Sequence, residues 1–291
     1  MKGYKSALTL MRIPFSVYLM PIFWFALSTE TGYDVWQAVA VFLILHLLVY
    51  PASNGYNSYY DRDEGSIGGL KHPPKVTRQL MHLVLLFDVL AVVLGMLLSP
   101  LFGALVALYL LVSKAYSYEG IRLKKYPFLS TFVVTFFQGA FTFVMVLVGV
   151  GFPLTEVLQP PHIGFALVST LFLCGSYPLT QIYQHAEDRQ RGDRTLSLIL
   201  GISGTYLFAA ISLTLGTLLL LYLYLTTDQV RNIFIFLVCT APVVYFFAGW
   251  VLKARQDLRE VSYENTMQMN KISSLSISAA FIIMIAARAF L

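Results

Sequence analysis

The chain has 291 residues, 57% of them hydrophobic and 12% charged, with a net charge of +5 and a mean hydropathy of +0.70. Soluble domains carry roughly 25% charged residues, so this composition excludes an ordinary water-soluble enzyme. The modest positive charge reports membrane orientation and not a nucleic-acid partner. Several apolar runs reach about 20 residues, the length that spans a hydrocarbon core of ~30 Å. They are continuous instead of alternating, which argues against a β-barrel.

The expected class is an all-α integral membrane protein with nine transmembrane helices, forming a single domain over 1–291. In chain order the spans fall at 13–28, 35–54, 80–98, 101–118, 130–150, 162–185, 204–226, 231–252 and 271–290. The lead MKGYKSALTLMR is short and basic, without a clear cleavage site before the first span. Cys174 and Cys239 both lie inside apolar runs and read as small packing residues. With the N-terminus inside, 18 of the 20 Lys and Arg residues fall at one face, and only Arg231 and Arg288 fall outside it. The positive-inside rule therefore places the N-terminus in the cytoplasm, the C-terminus outside, and the chain in the cell (inner or plasma) membrane as a multi-pass protein.

That orientation gathers the polar segments 55–79, 117–129, 186–203 and 253–270 at the cytoplasmic face. A transporter needs polar groups near the midplane, and the one acidic residue deep inside a span is Asp88. The chemistry belongs at the membrane surface.

The second span ends in NGYNSYYDRDEGSIGG, residues 54–69. Continued as a helix, it puts Asn54, Asn57 and Asp61 within about 60° of one another, with Glu64 near the same face and Asp63 pointing away. Mg²⁺ takes octahedral oxygen ligands, often one or two carboxylates with substrate phosphates and waters. Such a line suits a Mg²⁺–diphosphate site, and the alternative is a solvated helix end. Gly65, Gly68 and Gly69 free the chain to approach a ligand or to turn.

The sixth span ends in QIYQHAEDRQRGDRTLS, residues 181–197, where Gln184 and Asp188 are four residues apart, with Glu187 and Arg191 close by. Between the two clusters, YSYEGIRLKKYP carries Arg122, Lys124 and Lys125, cations suited to phosphate oxygens. Lys71, Lys75 and Arg78 add to the same basic patch. Each of these cations alone would also serve as an orientation anchor.

NSYYDRDEG, then YSYEGIRLKKYPFLSTFVVTFFQG, then QHAEDRQRGDRTL, in this order on a nine-span chain, resembles the UbiA family of membrane prenyltransferases over nearly the whole length. The resemblance implies two Asp-rich motifs at the cytoplasmic ends of the second and sixth helices, binding Mg²⁺ and the diphosphate of an isoprenoid donor. Asn57, Asp61, Arg62 and Asp63 match the first motif, Asp188 the last Asp of the second, and Arg122, Lys124 and Lys125 the basic segment. Arg12 and Pro14 match the Arg-x-Pro that opens the first span. The chain departs from the pattern at Ser58, Gly65 and Gln184, where the family usually has acids, and Glu64 and Glu187 stand near enough to substitute. Fewer carboxylates imply one metal, a metal held mainly through substrate, or reduced activity.

By resemblance, Asp61 and Asp188 are the catalytic pair. Asn57, Glu64 and Gln184 join them as metal ligands, and Asn57, Arg62, Lys71, Lys75, Arg122, Lys124, Lys125 and Gln184 hold the diphosphate. An allylic cation left by diphosphate departure needs a dry, electron-rich lining. Asn54, Tyr60, Tyr118 and His185 are the candidates for the prenyl or acceptor pocket. The resemblance implies an acceptor that is an aromatic or quinone precursor or a glycerol-phosphate-type lipid precursor, and no residue chooses between them. His46, His82 and Asp88 read as packing or helix-bonding groups. The alternative function is a non-catalytic or transport protein on the same fold. A CDP-alcohol phosphotransferase would need a DG…AR…G…D…D run, which the chain does not contain.

Overall fold

The structure is a computed structural model describing residues 2–288, without the side chains of Lys2 and Arg191. Among the described residues the regular structure is helical apart from one isolated bridge, Ile67 to Leu70. Among the described residues nine helices are long and apolar enough to cross a membrane. They are α1 Gly3–Thr29, α2 Val35–Asp61, α3 Arg78–Leu98, α4 Pro100–Ser117, α5 Pro127–Gly149, α6 Pro160–Gln190, α7 Leu196–Thr226, α8 Val230–Gln256 and α9 Tyr263–Arg288. All nine expected spans are matched, and residues 289–290 of the last lie outside the described residues.

The helices are interrupted where the sequence gives a physical reason. α1 begins at Gly3 instead of 13 and breaks at Arg12, whose φ of 51° is left-handed; a 3₁₀ stretch, Ile13–Leu19, follows. α2 carries a π-helical segment, Ile44–Val49, and α5 another, Phe137–Phe141. In α5 the widened turn accommodates Gly139, where a Cβ would lie 2.8 Å from the backbone of Thr170. Thr170 Oγ1 accepts a hydrogen bond from Ala140 N at 3.1 Å. α7 is broken at Gly201, with φ 66° and ψ 178°.

The chain divides into two compact units. The first comprises Met1–Val17, Gly32–Lys125 and Met145–Leu154, and the second Tyr18–Thr31, Tyr126–Val144 and Thr155–Leu291. The first is built on a core of Leu10, Met11, Tyr56, Ile67, Leu80 and Val84. Its α3–α4 hairpin turns without a loop: Ser99 is extended and caps α4 by accepting from Phe102 N, and Pro100 starts the helix. In the second unit Phe25 stacks on Phe281 with centroids 4.5 Å apart. Arg288 donates to the carbonyls of Glu30 (2.6 Å) and Ser28, and Glu30 is also paired with His162. The end of α9 is thereby fastened to the end of α1.

Close packing of α3 on α4 depends on Gly103, where a Cβ would sit 2.5 Å from Met96 N. Overpacking costs typically 1–3 kcal/mol, so Gly103→Ala is expected to destabilise the hairpin by about that amount. The midpoint of thermal unfolding in detergent should fall; an unchanged midpoint would contradict this contact.

Candidate functional site

The first acidic cluster lies in the first unit. α2 remains helical through Asp61 and stops at Arg62, which adopts left-handed φ 48°, ψ 43°. Asn57 and Asp61 therefore share the last turns of an intact helix. Asn57 Oδ1 accepts from Ser117 Oγ at 2.6 Å, which ties the end of α2 to the end of α4. Asp61 is paired with Lys124, and both side chains are about nine-tenths buried, at 10% and 11% exposure. Lys124 comes from a 3₁₀ turn, Leu123–Lys125, reached through Arg122 at φ 44°. Tyr60 packs edge-on against Tyr118 (centroids 5.7 Å) and tilts on Tyr56 (4.8 Å), so an aromatic wall stands beside the pair.

Beyond Asp61 the helical-wheel expectation does not carry. The reversal at Arg62 takes Asp63 and Glu64 off the helix. Arg62 and Glu64 are exposed, and with Asp63, Lys75 and Arg78 they line an open cleft of about 750 Å³ to which neither Asn57 nor Asp61 contributes. Lys71 and Lys125 are exposed as well. The glycines answer to packing: a Cβ on Gly68 or Gly69 would meet the Phe15 ring at 2.8 or 2.7 Å. Arg12 donates to Gly68 O at 3.0 Å and Asn54 O at 3.4 Å, so it holds this loop against α2. Asn54 thus contributes its backbone to an internal tie, and its Nδ2 is buried with no hydrogen-bond partner among the described residues.

The second cluster lies in the second unit. α6 does not continue as an α-helix into the motif: Pro178–Gln184 is 3₁₀ and His185–Arg191 a short α-helix ending at Gly192. Gln184 sits at this junction with φ −96°, ψ 0°. The i, i+4 face expected for Gln184 and Asp188 is therefore not that of one continuous α-helix. Asp188 Oδ2 accepts from Thr195 Oγ1 at 3.3 Å, which fixes the carboxylate against the start of α7. His185 is 9% exposed and bonds Ser197 Oγ at 2.8 Å, within a chain that continues to Thr205 and the Gly201 carbonyl. It holds the α6–α7 turn. The Arg191 side chain lies outside what is described.

One residue escaped the sequence. Gln181 is 7% exposed and its Oε1 is buried without a hydrogen-bond partner among the described residues. In a 3₁₀ helix residues i and i+3 eclipse, so Gln181 stacks one turn behind Gln184. Reading the segment as α-helix hid that alignment; Pro178 at the start of the 3₁₀ turn was the available signal. Within the spans, Asp88 meets Lys114 at 2.6 Å, and Lys114 lies over the Tyr56 ring at 5.1 Å. His46 is buried between Phe42 and Tyr50, as a packing group would be.

Among the described residues no three of His, Cys, Asp and Glu converge as a metal-binding group. A profile of the UbiA prenyltransferase family matches residues 18–272. The chain belongs to the UbiA prenyltransferase family. A search of the curated proteins finds no match. Among solved structures, an apo UbiA homologue from Aeropyrum pernix K1 is 17% identical with a TM-score of 0.70, covering 94% of this chain and 98% of that one. A UbiA homologue from Archaeoglobus fulgidus bound to GPP and Mg²⁺ is 16% identical with a TM-score of 0.68, covering 97% and 99%. A chain from a study of digeranylgeranylglyceryl phosphate synthase in membranes is 17% identical with a TM-score of 0.61, covering all of both chains. At these identities the structures show the shared membrane fold, and the family match makes this UbiA chain a prenyltransferase.

In this UbiA member the buried partner of Asp61 is Lys124, whereas Lys125 is exposed. Removing one member of a buried pair leaves the other's desolvation uncompensated, at about 1–3 kcal/mol. Lys124→Met should therefore destabilise the protein by about that much more than Lys125→Met. Equal melting temperatures for the two variants would show that the Asp61–Lys124 contact is not made.

Proposed function

We propose that this protein transfers the prenyl group of an isoprenoid diphosphate to an acceptor of aromatic, quinone-precursor or glycerol-phosphate type, in a Mg²⁺-dependent reaction at the cytoplasmic face of the cell membrane. The observation that carries the proposal is the Asp61–Lys124 pair beside Asn57 at the end of α2. It sets an oxygen donor for a cation and an ammonium for a phosphate side by side. The A. fulgidus homologue with GPP and Mg²⁺ bound supports the substrate class.

The residues fit Mg²⁺ in kind, since Asn57 and Asp61 offer the hard oxygen ligands it takes, and their small number leaves positions for phosphate and water oxygens. When bound, Mg²⁺ supplies charge neutralisation at the leaving diphosphate. Lys124 has two possible partners, the Asp61 carboxylate and a phosphate oxygen. An arriving diphosphate takes the ammonium and leaves Asp61 as a donor to cations. Arg122 and Lys125 extend the positive charge towards the leaving group, and Arg62, Lys71 and Lys75 attract the diphosphate from the surface. By resemblance alone, Asp188, Gln184 and Glu64 are the further metal ligands. Tyr60 and Tyr118 provide the electron-rich lining.

Purified protein incubated with Mg²⁺ and geranyl, farnesyl or geranylgeranyl diphosphate is expected to bind the donor and release diphosphate in the presence of its acceptor. EDTA should abolish release. Asp61→Ala and Asp188→Ala should each lower it by at least about a hundredfold, the scale of removing an electrostatic stabiliser. Wild-type rates in both variants, or no binding of any isoprenoid diphosphate by the unmodified protein, would refute the assignment.

A further inference from the structure

At the Lys/Arg-rich end of α7 and α8, within the second unit, a groove of about 300 Å³ separates the two helices. Its α7 wall is Ile202, Ser203, Tyr206, Leu207 and Ala210, the residues of one helix face, and its α8 wall includes Phe247, Val251 and Arg255. Leu207 and Leu258 line it and are among the most exposed apolar side chains, so the groove is open at the protein surface. The walls are apolar, and three polar groups interrupt them.

Tyr206 is 5% exposed, its ring packed edge-on against Trp250, and its hydroxyl is buried with no hydrogen-bond partner among the described residues. A buried tyrosine hydroxyl ordinarily finds a partner. Ser203 is exposed on the same face, one turn earlier. Arg255, in the last turn of α8, has no ion-pair partner among the described residues. The neighbouring acids are engaged elsewhere: Asp257 pairs with Arg259 at 2.8 Å, and Glu260 Oε2 accepts from Asn265 at 2.9 Å. The backbone adds a further term. Because Gly201 leaves helical geometry, α7 starts afresh at Ile202, and the positive end of its dipole lies at this groove.

We propose that this groove is a binding site for an anionic phospholipid of the adjacent leaflet. The headgroup phosphate sits between Arg255, the Ser203 hydroxyl and the start of the long α7 segment. Tyr206 donates to a phosphate or ester oxygen, and an acyl chain lies along Leu207, Phe247 and Val251. The groove shares no residue with the acidic clusters and does not rest on the proposed reaction. A free phosphate would use the same polar groups without the apolar walls, which gives the test its arms.

Protein in nanodiscs of phosphatidylcholine alone, or with phosphatidylglycerol added, is released into detergent, and retained lipid is counted by native mass spectrometry. Thermal unfolding is followed in parallel with phosphatidylglycerol or free glycerol 3-phosphate added. Phosphatidylglycerol is expected to be retained preferentially and to raise the unfolding midpoint, with glycerol 3-phosphate giving no such rise. Arg255→Ala should weaken retention about fivefold, the scale for one basic residue at an anionic membrane surface. Tyr206→Phe, which keeps the ring packing, should weaken it in the same direction, and Lys253→Ala, which does not line the groove, should leave it unchanged. Equal retention of the two lipids, wild-type retention by both groove variants, or equal stabilisation by free glycerol 3-phosphate would overturn the proposal.

Discussion

Everything in this protein depends on the hydrocarbon core of the membrane, where a backbone amide or carbonyl cannot be satisfied by water. Each crossing must close its own hydrogen bonds, so the chain is helical wherever it is apolar and turns only at its ends. Charge follows the same rule. Lys114 and Asp88 inside the spans meet each other, while most other ionisable groups collect where helices stop. Helix ends are the places where carboxylates, ammonium groups and water coexist.

Helix ends are also where backbone geometry is least regular. Arg12, Arg62 and Arg122 all adopt positive φ, an uncommon conformation for a residue with a Cβ. Each ends or restarts a helix: Arg12 breaks α1, Arg62 stops α2 after Asp61, and Arg122 turns the chain so that Lys124 reaches Asp61. The side chain of Arg12 then fastens the loop after α2 by hydrogen bonds to Gly68 and Asn54. Precision in the first acidic cluster comes from these turns together with the Ser117–Asn57 hydrogen bond.

The second cluster shows the same logic with different parts. A 3₁₀ turn after Pro178 replaces the expected α-helix, bringing Gln181 into line with Gln184 and delivering Asp188 to Thr195. His185, read from sequence as a candidate for the substrate pocket, joins the Ser197–Thr205 chain that reaches the Gly201 carbonyl at the break in α7. That break exposes a helix start to the groove beside Arg255. One glycine therefore serves two neighbouring features of the second unit.

From sequence alone, composition and the lengths of the apolar runs determined the class and the nine candidate crossings, because membrane thickness and backbone desolvation act on every residue alike. The motif spacing also put Asn57 and Asp61 on the last turns of one helix, and α2 stays helical through both. Tertiary structure alone decided that Asp61 is held by Lys124, that Glu64 leaves the helix face, that Gln181 stands behind Gln184, and that the Tyr206 hydroxyl is buried with no partner among the described residues. Those outcomes turn on single residues with left-handed or 3₁₀ backbone and on side chains brought together from separate helices. Periodicity along one helix carries no information about either.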